Sequence, residues 1–499
     1  MEYIRVRNLK SFRDSGEVKI APITVFVGEN SSGKSSFVRC LPLFKQSMEE
    51  KTLGTVLWSG KYVDFGSFTE SLNSFSKDEN ETEIIFEFGF NAYLSHRKRY
   101  VKNSTEKAPV VVRVHVSEEE YDSKNYTVIL IKIYEDEIVI RSRANARCDE
   151  ILINGVDYTK EILDEYGIYM DSSILPLFRR GFYMQNARKQ IVSLLANEIK
   201  KITHHRMGDA NNNSIALNLR YGSSSDILKQ LRSVSLVGVH ASKITKDWNE
   251  DFVHLKKIRT LIIANNLDDI ISSVSIYFSS IFSGTRYITP LRAAADRYYR
   301  IKNISIDQLD PNGSNLAMYL NAMRKDSVVK LNEWLLSELG FQINIEQSKG
   351  HVSILINDGG SSLINIADNG FGYSQIIPVL IQVWNLARAR NSNFGRVLTM
   401  VVEQPELHLH PKMQSKVGLA LCKMVMAARE LDVDVRLVIE THSEQIINSI
   451  GKSIENKIIN REDALVYLVE KNKIASVRKS DFDNNGYLNN WPYGFFDGV

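Results

Sequence analysis

GENSSGKS, Gly28 to Ser35, is the stretch of this sequence whose residue types and spacing most plainly do chemistry. It satisfies G-x-x-x-x-G-K-[ST] and lies between an apolar run, ITVFV, and an amphipathic one, FVRCLPLFKQ. A strand–loop–helix of that composition holds phosphate. Glycine lets the backbone wrap closely, so successive N–H groups and the helix N-terminus point at phosphate oxygens. The loop residues Gly28, Asn30, Ser31, Ser32, Gly33, Lys34, Ser35 and Ser36 are therefore expected to bind a nucleotide, ATP. Lys34 would reach the β- and γ-phosphates, and the Ser35 hydroxyl would ligate Mg2+.

Three more segments carry chemistry. TMVVEQPELHLHP reads as a strand buried on both faces that ends in an acid, Glu403. Glu403 is expected to hold the Mg2+ hydration shell, since it and the phosphate loop must meet at one metal. VIETHSE, Val438 to Glu444, ends a second apolar strand with His442 just past its tip. A neutral imidazole there can bond a γ-phosphate oxygen or the attacking water, whereas a histidine at a strand end is otherwise a structural residue. DNGFGYSQIIPVL opens a helix with Gly370, Gly372, Ser374 and Gln375, a second anion-binding N-terminus. One nucleotide needs one phosphate loop, so this second nest is expected to serve the nucleotide of a partner subunit; the alternative is a loop capped by Ser374.

The chain has 499 residues, enough for two or three core-forming units, with 43% hydrophobic and 24% charged residues. A net charge of +3 confines any nucleic-acid surface to a local patch. Cys40, Cys148 and Cys422 are scattered without CxxC, which argues against a zinc site and fits a reducing cytoplasm. No signal peptide or membrane-spanning run is legible, so a soluble, cytoplasmic protein is expected.

The positioning elements change along the chain. Alternation in YIRVRNL, TEIIFEFGF and VVVRVHV predicts an antiparallel sheet in residues 1–150. Residues 151–286 carry helical spacing, interrupted by a polar surface loop, GDANNNS, and read as a helical insertion. Residues 287–499 alternate helices with apolar strands, from the helix LAMYLNAMRKDSVVKLNEWLLSELG onward. That alternation predicts a mostly parallel sheet with ligands at the strands' carboxyl ends.

The four segments in this order resemble the ABC-type ATPases of the SMC, Rad and OLD group. GENSSGKS matches Walker A, DNGFGYSQ a degenerate signature, TMVVEQPELHLHP Walker B and the D-loop, and THSE the switch histidine. KYVDFGSF, YITPLR, DPNGSN, EQPELHLHP and WPYGFFDG are similar to bacterial antiphage-defence ATPases such as the Septu ATPase subunit and its retron-associated relatives. The resemblance implies an α/β ABC-type P-loop head with a mixed N-terminal lobe and a parallel-sheet C-terminal lobe. It implies a homodimer or higher oligomer with ATP sandwiched between heads, Gly372 and Ser374 of one chain facing Walker A of the other. It also implies an HNH-type nuclease partner.

The sequence departs from that group where relatives carry a glutamate after the Walker B acid. Here Gln404 can orient a water but cannot accept its proton. Glu406 is a candidate replacement, with a capping or dimer-contact role equally open. Catalysis is thus expected from Glu403, Gln404, Glu406 and His442, and slowly. His408 and His410 are D-loop neighbours and not metal ligands, and Asp481 and Asp483 in SDFDNNG sit in a surface turn, leaving no nuclease domain. The leading expectation is an ATPase regulating a partner nuclease in antiphage defence. The alternative is an ATP-gated DNA clamp for repair or recombination, using the basic clusters HRKRYVK and FRRGFYMQNARKQ…KKITHHR.

Overall fold

The computed structural model describes residues 1–50, 52, 54–79, 81–94, 107–118, 125–143, 147–169, 174–180, 188–203, 207–233, 245–249, 252–302, 306, 308–360, 362–388, 397–492 and 495. The basic cluster His96–Lys102 lies outside them, as do 181–187 and 204–206 of the second cluster.

The N-terminal lobe is an antiparallel sheet. Its strands are β1 (Tyr3–Leu9), β2 (Phe12–Asp14), β3 (Val18–Lys19), β5 (Glu83–Ala92), β6 (Ala108–Glu118), β7 (Asn125–Ile133), β8 (Asp136–Arg143), β9 (Arg147–Ile153) and β10 (Val156–Asp157). They run in the order β10-β9-β8-β7-β6-β5-β1-β2, with β3 beside β1. Period-2 alternation puts Ile84, Phe86, Phe88 and Phe90 of β5 on one buried face, with Phe86 and Phe88 opposite Val114 and Val112.

The other principal sheet contains β4 (Ile23–Gly28), β13 (Arg286–Ile288), β18 (Val397–Glu403), β19 (Asp434–Glu440), β20 (Ala464–Lys471) and β21 (Ala475–Asp481), in the order β13-β18-β19-β4-β20-β21. All its pairings are parallel except β20 with β21. This sheet is the wall between two hydrophobic cores. Phe26, Val401, Val438 and Tyr467 face the N-terminal core, and Val25, Met400, Val402, Leu437 and Ile439 face the C-terminal one. Burial on both faces is why these strands read as unbroken apolar runs. The result is the two-lobed α/β P-loop head.

Residues 151–286 share the N-terminal core. Phe278 and Phe282 of the helix Leu267–Ser283 interleave with Phe44 and Phe88, with ring centroids 4.8 Å apart for Phe44–Phe88 and 5.2 Å for Phe88–Phe282. Three features differ from the sequence reading. GDANNNS enters a helix, Asp209–Asn218, because Ile215 and Ala216 bury against the core and Asn212 is held inside by Thr203 at 3.1 Å. Packing overrides poor helix propensity there. The segment also contains strands: β9 runs across residue 150, and β11 (Tyr166–Tyr169) pairs with β12 (Leu177–Arg180). The single helix expected after Leu316 is two, Leu316–Ala322 and Lys325–Leu339, separated by extended backbone at Met323 and Arg324. Among the described residues, no helix is long and apolar enough to cross a membrane.

Candidate active site

The strand β4 ends at Gly28 with φ +150°, and a Cβ there would lie 2.1 Å from the Val469 carbonyl oxygen. Only glycine fits beside β20 at that point. Ser31 (φ 60°) and Gly33 (φ 111°) complete the turn into the helix Lys34–Val38. Lys34 is 3% exposed and donates to the carbonyls of Gly28 (3.0 Å) and Glu29 (2.6 Å). Burial lowers its pKa, opposed by Glu440 and Glu29. Its ammonium is thus held at the loop by neutral acceptors, which an anion can displace. Ser32 Oγ is buried without a partner.

Glu403 and Glu440 end adjacent parallel strands as register partners, so both project from the sheet face that the phosphate-loop helix crosses. That helix carries Ser35 and Arg39 four residues apart, one above the other. Ser35 lies over β19 and donates to Glu440 Oε1 at 2.8 Å. Arg39 lies over β18 and grips Glu403 through two 2.7 Å bonds, Nε to Oε1 and Nη2 to Oε2. Tyr287 adds its hydroxyl to Glu403 Oε1 at 2.6 Å. Glu403, expected at the Mg2+ hydration shell, thus bonds Arg39 and Tyr287, and the hydroxyl of Ser35 goes to Glu440. β19 stands between β4 and β18, and its own terminal acid reaches the hydroxyl first.

The electrostatics differ accordingly. Burial pushes the Glu440 carboxyl up to about 7, with the neighbouring Glu403 charge adding to it; Glu440 Oε2 has no partner. Burial pulls Arg39 down, but the pairing with Glu403 outweighs it and its pKa rises. Burial and Lys34 lower His442 below 6.5, leaving a neutral imidazole at neutral pH.

A cleft of about 370 Å3 opens above these groups, lined by Lys10, Ser11, Asn30, Ser31, Gly33, Lys34, Ser35, Ser36, Gln404, Glu440, His442 and Lys471. An orphaned carboxylate oxygen, an orphaned serine hydroxyl and a glycine-built cradle fit a nucleoside triphosphate with Mg2+. Residues 1–447 match the family model described as AAA ATPase domain. The chain belongs to that AAA ATPase domain family.

Residues 459–498 of this ATPase match a second family model, described as a protein of unknown function (DUF3696). No curated protein matches the chain. Among solved structures, an SMC head bound to the C-winged helix domain of ScpA aligns at 10% identity over 97% of this chain and 98% of that one, with TM-score 0.36. The SMC head domain from Thermotoga maritima aligns at 10% identity over 96% and 98%, with TM-score 0.33.

Behind the ATPase cleft, Glu406 accepts the backbone N–H of His442 at 2.7 Å, tying the turn after β18 to the loop after β19. Burial raises its pKa, and it does not line the cleft. Gln404 does line it, at φ 47°, with its N–H donated to the Glu440 carbonyl at 2.7 Å. Arg292 is 7% exposed and donates Nη2 to the carbonyls of Glu403 (2.8 Å) and Gln404 (3.4 Å). The His408 ring lies tilted against Phe371, with centroids 5.5 Å apart, and His410 caps the helix Pro411–Glu430 by accepting from Lys412 N–H at 3.3 Å. Asp483 accepts from the N–H groups of Asn485 and Tyr487, closing a surface turn.

Gly370, Gly372, Ser374 and Gln375, the expected signature residues, do not line this ATPase's own cleft. Gly370 (φ 68°) starts the helix Phe371–Ala387, and Gly372 packs 3.3 Å from the His408 carbonyl, measured from where its Cβ would stand. Ser374 and Gln375 are each 5% exposed. Ser374 Oγ donates to the Phe371 carbonyl at 3.0 Å and Gln375 Nε2 to that of Arg292 at 3.4 Å.

Sequence reasoning missed Lys10, Ser11, Lys471, Arg39, Tyr287, Arg292 and Glu440 as site residues. Glu440 carried the same signal as Glu403, an acid ending an apolar run. Tyr287 and Arg292 bound the YITPLR segment, which marked a likeness but no role; the roles of these residues come from strand order and crossing.

Proposed function

We propose that this ATPase is a slow ATP-dependent switch whose heads pair through bound nucleotide and control a nuclease partner in bacterial antiphage defence. The observation that carries the slow switch is Gln404, which lines the cleft beside neutral His442 where relatives of this type carry a carboxylate. An amide orients water without taking its proton, so turnover depends on the phosphates' own electrostatic stabilisation by Lys34, Mg2+ and the loop N–H groups. Ser35 and a strand-end carboxylate beside it would hold the metal, which neutralises phosphate charge when bound.

Head pairing is supported by the separation of the signature from the chain's own cleft and by Phe371, 59% exposed at the start of the signature helix. A second copy placed head-to-tail would bring Gly370, Gly372 and Ser374 to the γ-phosphate. The nuclease partner rests on the likeness of KYVDFGSF, YITPLR and WPYGFFDG to the defence ATPases. The test is sedimentation of the full chain with ATP and Mg2+, and of Lys34→Ala and Gly372→Arg, followed by phage challenge of cells carrying the gene with its neighbours. ATP-dependent dimers lost in both variants, together with lost protection, support the reading. Dimers that ignore nucleotide overturn the switch, and strong salt-dependent DNA binding lost in Arg179→Ala/Arg180→Ala would favour the clamp.

A further inference from the structure

We infer that Glu440, at the end of β19, is the protein's carboxylate ligand for the divalent cation, sharing it with Ser35, and that Glu403 positions the loop without touching metal. This rests on the nucleotide-binding reading above and specifies its metal site.

The spacing carries the inference. Mg2+ takes oxygens at about 2.0–2.1 Å in octahedral array, so neighbouring ligand oxygens stand about 2.9 Å apart. Ser35 Oγ and Glu440 Oε1 are 2.8 Å apart and both line the cleft, so a cation can replace the hydrogen between them with little movement. Glu440 is 3% exposed and its Oε2 has no partner, a buried lone-pair set that a cation satisfies. Glu403 has neither opening. Both its oxygens are taken by Arg39, one also by Tyr287, and it does not line the cleft. Moving it to the metal would break both bonds to Arg39 and the bond from Tyr287.

The experiment compares ATP affinity of the full chain in Mg2+ with that in EDTA, alongside Mn2+ binding by electron paramagnetic resonance. Glu440→Gln is expected to remove the metal-dependent gain in ATP affinity and to lose bound Mn2+, while affinity in EDTA is kept. Glu403→Gln is expected to keep the gain. A Glu440→Gln protein that retains both the gain and its Mn2+ signal overturns the inference. Glu440→Cys guards against a folding artefact: Cd2+ restoring a gain that Mg2+ no longer gives supports it, and Cd2+ without effect overturns it. If the wild-type chain binds no ATP with or without metal, the nucleotide reading itself fails, a result distinct from either.

Discussion

Arg39 and Glu403 form a two-pronged ion pair, 2.7 Å at each prong, that fastens the phosphate-loop helix to the end of β18. The carboxylate is 1% exposed, so its charge is stabilised almost wholly by the guanidinium and the Tyr287 hydroxyl. Removing one partner leaves a buried charge unpaired. Arg39→Met is therefore expected to cost about 3–5 kcal/mol in chemical denaturation, and Arg39→Met/Glu403→Gln together less than Arg39→Met alone. A double variant as unstable as the sum of the singles would show that the pair is not what holds the helix.

Gln404 sets the rate if the missing carboxylate limits hydrolysis. Gln404→Glu is expected to raise the steady-state ATPase rate by at least about 10-fold, as a general base in reach of water does. Lys34→Ala should abolish turnover in both backgrounds. An unchanged rate in Gln404→Glu with collapse in Glu406→Gln would move the base to Glu406.

Glu406 otherwise acts through His442, whose N–H it holds at 2.7 Å. Glu406→Gln keeps an acceptor of the same shape and is expected to lower kcat only slightly, while Glu406→Ala frees the loop after β19 and lowers it further. Hydrogen exchange at His442 separates the two: faster exchange only in Glu406→Ala is the expected outcome.

Arg292 links the helix Phe371–Ala387 to the turn after β18, since its carbonyl accepts from Gln375 and its Nη2 donates to the carbonyls of Glu403 and Gln404. Burial lowers its pKa to about 10, and Nε and Nη1 have no partner, so its charge is costly where it stands. Arg292→Met is expected to alter stability little yet reduce kcat about 10–100-fold through misplacement of the turn. Equal losses of stability and rate would reduce Arg292 to a packing residue.

The C-terminal segment docks through backbone contact. A Cβ on Gly451 would stand 2.2 Å from the Gly486 carbonyl oxygen. Gly451 lies in the helix Glu444–Glu455, which starts just after His442. Gly451→Ala is expected to lower stability by about 1–3 kcal/mol in denaturant melts and to loosen residues 482–492 in hydrogen exchange. Unaltered exchange there would mean that the segment is held by its aromatic contacts instead.

The sequence by itself determined the phosphate loop, the two apolar strands that end in Glu403 and Glu440, and the two-lobed α/β class. Each is encoded locally, by glycine placement, by apolar runs that only double-sided burial explains, or by period-2 alternation. It did not determine which acid meets Ser35. That depends on β19 lying between β4 and β18, a long-range pairing with no trace in either strand's own residues. The same crossing turned Glu403 into Arg39's partner, because a helix turn of about 5.4 Å nearly matches the strand spacing of about 4.8 Å. GDANNNS became helical for a related reason: burial of Ile215 and Ala216, decided by residues far along the chain, outweighed what its asparagines prefer.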